Sequence, residues 1–271
     1  MHDETPPICD CHAHIFGRRD IYPLAPGADY VPDNATRAEY QAMLVQLGIE
    51  RCVLVQPSIY GVDNSCMLDA LRALGRSARG VAVIDSTTSQ AEIEHMHQLG
   101  VRGVRLNTLS SNGLGLDQLG EIEKIVAPFD WHIQILLKNT DRRDSLEAIS
   151  KVRTPVVLDH FASFSQGDSP EELDALFDLA VRKEIWIKLS APYLFGGCGS
   201  GDHRFYKAFI KRALSLIPTR LLWGTDWPHP ALTDKSVTTA KLSELLTEWI
   251  PAASDRDMVT RENPSQLYGF D

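Results

Sequence analysis

Residues 89–107 read SQAEIEHMHQLGVRGVRLN. Ser89 followed three positions later by Glu92 has the spacing of a capping box, in which each side chain accepts from a free amide at the helix start. Gln90–Leu99 then reads as a helix and Gly100 stands where that helix should stop. Gly103–Asn107 follows as a short run of strand type. One stretch thus holds a helix and the strand it feeds.

The same unit recurs in both directions. Runs rich in Ile, Val and Leu predict strands at Ile8–His12, Cys52–Gln56, Gly80–Asp85, His132–Leu137, Pro155–His160, Ile185–Ser190 and Leu221–Asp226. Helices are predicted at Arg37–Leu47, Asp63–Leu74, Leu116–Ala127, Arg142–Lys151, Glu171–Lys183, Arg204–Leu216 and Val237–Trp249, with Gly48 and Gly75 as further stop signals. Eight such units in 271 residues, with no Pro/Ser-rich linker or internal repeat, predict a single (β/α)8 TIM barrel over 1–271. An open doubly wound sheet is the alternative, although the Gly-rich phosphate fingerprint that often opens such folds is missing after the first run.

Composition narrows the function. Apolar residues make up 44% and charged residues 23%, which fits a globular core and neither a disordered nor a fibrous chain. With 27 basic against 36 acidic residues and no basic run, nucleic acid is not an expected partner. No apolar stretch approaches the roughly 20 residues that cross a bilayer, and the start Met1-His2-Asp3-Glu4 is acidic where a signal peptide is basic, so a cytoplasmic protein is expected. Five scattered cysteines predict reduced thiols.

Chemistry in a parallel barrel gathers at the C-terminal ends of the strands. Here those ends carry Asp10-Cys11-His12-Ala13-His14, Arg105 with Asn107, Asp159-His160, Lys188-Leu189-Ser190 and Thr225-Asp226-Trp227-Pro228-His229. Strand alternation places Asp10, His12 and His14 on one face and turns Cys9, Cys11 and Ala13 toward the helix layer. Imidazoles two residues apart can converge on one metal ion or one substrate. Asp226 follows the apolar Leu221-Leu222-Trp223, where low-dielectric packing can tune a carboxyl for proton transfer; capping or orienting a histidine is its blander role. Trp186 and Trp223 read as core, and His95, His97 and His132 as surface or packing residues. The loop Gly196–His203 is a candidate lid, or an idle connector.

Along nearly its whole length the chain resembles the amidohydrolase superfamily, within it the family of 2-pyrone-4,6-dicarboxylate lactonase, sulfomuconolactone hydrolase and galactarolactone isomerase. The resemblance rests on Asp10–Gly17, Gln56–Gly61 with Asp63-Asn64, Gly100–Asn107, Asp159-His160-Phe161, Lys188–Tyr193, Trp223–Pro230, and Asn263-Pro264 with Leu267-Tyr268-Gly269. It implies a barrel enzyme that opens lactones with water. Asp226 would take the water's proton, and His12, His14 and His160 would polarise the carbonyl or hold the water. Ser58, Arg105, Tyr30 and Asn107 would bind a small anionic substrate, Arg105 through the two parallel hydrogen bonds a guanidinium offers a carboxylate.

The chain also departs from that pattern. Thr108–Asn112 holds no arginine, and Leu194-Phe195-Gly196-Gly197 stands where relatives commonly continue with arginine, so a monoanionic or less charged lactone is expected in place of the pyrone dicarboxylate. Two-metal members use a carboxylated lysine on the fourth strand and a histidine on the fifth; here those strands offer Arg105 and Gln134-Ile135-Leu136-Leu137. The expectation is that no cofactor is required, because Arg105 supplies positive charge, with one Zn²⁺ on His12, His14, His160 and Asp226 as the alternative. Rival functions are a lactone isomerase, a zinc-dependent decarboxylase and a non-catalytic small-molecule binder. The oligomeric state is not legible.

Overall fold

The structure, a computed structural model, describes residues 6–195, 203–232 and 237–270. Eight parallel strands follow in chain order around one sheet: β1 (Cys9–Ala13), β2 (Arg51–Val55), β3 (Ala78–Ala82), β4 (Val101–Asn107), β5 (His132–Leu136), β6 (Val156–Leu158), β7 (Ile185–Leu189) and β8 (Leu221–Trp223). The seam between the last and the first is joined just beyond their ends. The Asp226 amide donates to the His12 carbonyl at 2.8 Å, and the His14 amide to the Trp227 carbonyl at 2.7 Å. The architecture is a (β/α)8 barrel.

The crossover helices are α1 (Arg37–Leu47), α2 (Ser65–Leu74), α3 (Gln90–Gln98), α4 (Leu119–Val126), α5 (Arg142–Ser150), α6 (Pro170–Arg182), α7 (Arg204–Leu216) and α8 (Thr239–Trp249). The expected capping box at Ser89 and Glu92 is formed, and Gly48 ends α1 in the left-handed region at φ 65°. Among the described residues no helix is long and apolar enough to cross a membrane. Cys9, Cys11, Cys52 and Cys66 are buried free thiols. Of the loop read as a candidate lid, residues 196–202 lie outside the described residues.

Three differences from the expected elements matter. First, β6 and β8 are only three residues long, so Asp159, His160 and Asp226 stand on irregular backbone beyond the strands. Second, the chain continues after α8 through α9 (Ala253–Asp257), a π-helical turn (Met258–Glu262) and α10 (Asn263–Tyr268). These short, largely polar segments carry too weak an apolar period to be read as helices. They nevertheless close the floor: Tyr268 and Phe270 pack with Cys9, Cys11, Val53, Val81, Val157, Trp186 and Leu222, and Arg79 donates to the Tyr268 and Gly269 carbonyls.

Third, the facing of β1 is corrected. Cys9 and Cys11 belong to that inner cluster, whereas Asp10 accepts from the Tyr40 hydroxyl of α1 at 2.9 Å and so faces the helix layer. Opposite β2, the register shifts between Asp10 and Ala13, a bulge that adds a residue to β1. Alternation fails across it. His12 and His14 therefore still reach the barrel mouth, although Asp10 points away. Trp186 and Trp223 are core residues; His132 is buried packing and His95 is exposed.

Candidate active site

The mouth is built from the seam outward. Gly224 lies against β1 so closely that a Cβ would sit 2.7 Å from the His12 backbone, so only glycine lets the two chain ends meet. Three imidazole Nε2 atoms then converge on one carboxylate oxygen: His12, His14 and His160 lie 3.5, 3.5 and 4.0 Å from Oδ1 of Asp226. The Tyr193 hydroxyl donates to the other oxygen, Oδ2. All four residues of the cluster are buried.

Each ring is held from behind. His14 Nδ1 is 2.7 Å from the Val55 carbonyl, which only accepts, so Nδ1 carries the proton and Nε2 presents its lone pair in the neutral ring. His160 Nδ1 is 2.8 Å from the Ser190 hydroxyl. His12 Nδ1 is 3.3 Å from Asp159 Oδ1, while its Nε2 has no hydrogen-bond partner. His160 also opens a stretch of left-handed backbone, with φ of 51°, 57°, 54° and 60° from His160 to Ser163, none of them glycine. Such residues cost roughly 1–2 kcal/mol each and persist only where surroundings impose them. Here the Phe161 ring packs edge-on against Tyr206, and Arg142 donates to the Ser163 carbonyl at 3.0 Å with its guanidinium over the Phe164 ring.

Beneath the rings lies a polar network that the sequence reading did not assign to the site. Asp159 accepts from Gln134 at 3.0 Å and from Arg105 Nε at 3.3 Å, and Lys188 lies 3.7 Å from it while donating to Gln134 at 2.6 Å. Charged residues inside apolar strand runs, Asp159 and Lys188 above all, were the available signal. Burial would raise the Asp159 carboxyl, but the neighbouring His12 and Lys188 charges outweigh it and hold it well below the carboxylate range. Burial also pushes Lys188 down.

The rings above respond in kind. Burial drives His12 well below the histidine range, with Asp159 opposing and Lys188 assisting. His160 is lowered by burial against the pull of Asp226 and Asp159. Burial alone would raise Asp226, yet contact with His14 and the charges of His160 and His12 overcome it, and the carboxyl lies far below its ordinary value. The site is an ionised carboxylate ringed by imidazoles, and at His12 and His160 burial and the neighbouring carboxylates act in opposite directions.

A cavity of about 350 Å³ opens above this cluster, and His14, His160, Asp226, Tyr30, Ser58, Arg105 and Asn107 all line it. Of the site residues named from the sequence all but His12 border this one space, and His12 is fully buried against Asp226 and His160. Asn107 donates to the Ser58 hydroxyl at 2.8 Å. Arg105 pairs with Asp159 through Nε and also faces the cavity. Leu194, Leu109, Leu136, Pro230 and Ala231 form apolar wall, and Asp29 stands at the rim.

The donor set suits a divalent cation. His12, His14 and Asp226, and separately His12, Asp159 and His160, offer ligand atoms within 4.8 Å of one another. The unpartnered Nε2 of His12 and the lone pair of His14 aimed at a carboxylate are the features a cation would satisfy.

Comparison with known proteins identifies the family. A model of the amidohydrolase family matches residues 9–270. The 2-pyrone-4,6-dicarboxylate hydrolase of Comamonas testosteroni is 34% identical, over 96% of this chain and 89% of its own length. D-galactarolactone isomerase of Agrobacterium fabrum is 28% identical, over 91% and 86%. The crystal structure of a probable 2-pyrone-4,6-dicarboxylic acid hydrolase from Acinetobacter baumannii, with citric acid bound, superposes with a TM-score of 0.86 at 25% identity and covers 97% of this chain and 100% of its own.

Proposed function

The chain belongs to the amidohydrolase family, and we propose that within it this protein is a lactonase that opens a small acidic lactone with water at the barrel mouth. The observation that carries the reading is the convergence of His12, His14 and His160 on Asp226 beneath a cavity that also exposes Arg105.

In this mechanism a water beside Asp226 and His14 donates one hydrogen to each, because both present acceptors, and its free lone pair faces the lactone carbonyl. Asp226 takes the proton as the carbon–oxygen bond forms. Negative charge develops on the carbonyl oxygen, with positive charge from Arg105 nearby to stabilise it. Collapse breaks the ring C–O bond, and the proton held by Asp226 passes to the departing ring oxygen. The product is a ring-opened hydroxy acid. Because Asp226 is a weak base, its proton transfer must run together with oxyanion stabilisation. A divalent cation on His12, His14, His160 and Asp226 would supply Lewis-acid polarisation and acidify the water; the reading requires none, since charge is available from Arg105.

The test is acid release from sugar and muconate-type lactones in H₂¹⁸O, before and after chelation. One solvent oxygen in an open acid is expected. A cyclic product without label would make the protein an isomerase, and CO₂ release a decarboxylase. Asp226→Asn should lower turnover by about 10²–10⁴-fold while binding the hydroxy acid; near-parental turnover would refute the base assignment.

A further inference from the structure

We infer that Asp29 makes this pocket selective for a lactone bearing a single acidic group, by placing a fixed negative charge where a second carboxylate would lie. The inference rests on the lactonase reading and names its substrate class.

The charged groups on the cavity wall carry the argument. Among the described residues lining it, Arg105 is the one lysine or arginine, and it already shares its charge with Asp159. Against it stand two carboxylates, Asp226 at the floor and Asp29 at the rim. Asp29 comes from the long segment between β1 and α1, and it is not a loose surface acid. Both its oxygens are taken up by the loop after β4: the Ser110 hydroxyl and the Ser111 amide donate to Oδ2, the latter at 3.2 Å, and the Ser111 hydroxyl donates to Oδ1. These hydrogen bonds favour the ionised form and keep the charge beside the cavity.

A substrate carboxylate drawn to Arg105 therefore finds a complementary partner, whereas a second one reaching the rim meets a like charge. A ring hydroxyl at that place can donate to Asp29 instead. Hydroxyl-bearing monoacid lactones fit both ends. Diacid lactones fit one. Because Asp29 is solvent-exposed, the discrimination is expected to be modest, about tenfold, and to weaken with salt.

The experiment compares the parent, Asp29→Asn and Asp29→Lys on γ-butyrolactones carrying one or two carboxylates. In parallel, calorimetry measures binding of the corresponding ring-opened hydroxy acids. The parent should favour the monoacid by about tenfold in kcat/KM and in affinity, Asp29→Asn should largely erase that ratio, and Asp29→Lys should invert it. An unchanged ratio in both variants, or a parent that binds the diacid better, overturns the inference. If neither ring is opened, the lactonase reading fails, while the calorimetric ratios still decide the role of Asp29.

Discussion

Asp10 accepts from both the amide and the hydroxyl of Thr225, at 2.8 and 2.6 Å, so one carboxylate buried behind β1 grips the chain that follows β8. It accepts as well from the His12 amide at 3.2 Å, inside the bulge. A single side chain thus reinforces the backbone-joined seam and braces the backbone from which His12, His14 and Asp226 project. Thr225→Val should remove one of these bonds and leave the buried oxygen short of a donor, a loss of about 1–3 kcal/mol. Urea unfolding measures it, and Thr225→Ser should restore most of it. A valine variant as stable as the parent would show that the seam does not depend on the hydroxyl.

Arg142 lies outside the cavity but beneath the left-handed turn that carries His160. It donates to the Ser163 carbonyl and pairs with Asp168 at 3.2 Å and Glu172 at 2.7 Å. Arg142→Met should relax that turn and lower kcat by tenfold or more with little change in KM, because His160 moves while the binding wall stays. A crystal structure of the variant should show φ at His160 returning to negative values. Retained positive φ and retained kcat would reduce Arg142 to a packing residue.

Arg105→Met should lower kcat for every lactone, because the oxyanion loses the nearby charge, so its part in recognition is read from KM. For an acidic lactone KM should rise by about tenfold or more, while for a neutral lactone of equal ring size it should change little. Asp159 retains Gln134 and Lys188 as partners in this variant, so the network below is weakened and not emptied. Equal KM changes for the two substrates would contradict a carboxylate clamp.

Stability should fall on the acid side before Asp159 or Asp226 titrates. Burial, with help from Lys188, pushes His132 down to about 3, whereas an unfolded histidine titrates near 6.5. Between those values the unfolded chain binds a proton that the folded chain refuses. The stabilising contribution is therefore complete above about pH 6.5 and falls by about 1.4 kcal/mol per pH unit below it. His12 and His160 are shifted in the same direction and add to the slope. Asp159 and Asp226, held low, lose their contribution only below about pH 4. Urea midpoints measured from pH 7.5 to 5 should decline, and His132→Leu should decline less steeply by about one proton. An unaltered slope in that variant would place the titration elsewhere.

Much of the fold was legible because it is written in local terms. The bounds of α1 and α7 match the expected helices end to end, since apolar spacing and stop signals there agree with the packing. The site was legible in part for a related reason: polar residues at the ends of apolar runs have no local explanation, and His12, His14, His160 and Asp226 stood out on that ground. Asp159 and Lys188 stood at strand ends too but received no role, and Gln134 and Tyr193 received none either, because their meaning lies in partners far along the chain.

By itself the sequence determined the eight-unit barrel and the strand ends at which chemistry gathers, because apolar period and end signals act over a few residues. Only the tertiary structure decided which way β1 faces its side chains, since a one-residue bulge reverses the alternation on which any reading of a strand depends. It alone set the left-handed turn under His160, the C-terminal floor at Tyr268 and Phe270, and the charge at the rim carried by Asp29. Each of these arises from contacts between segments distant in the chain, which no local pattern records.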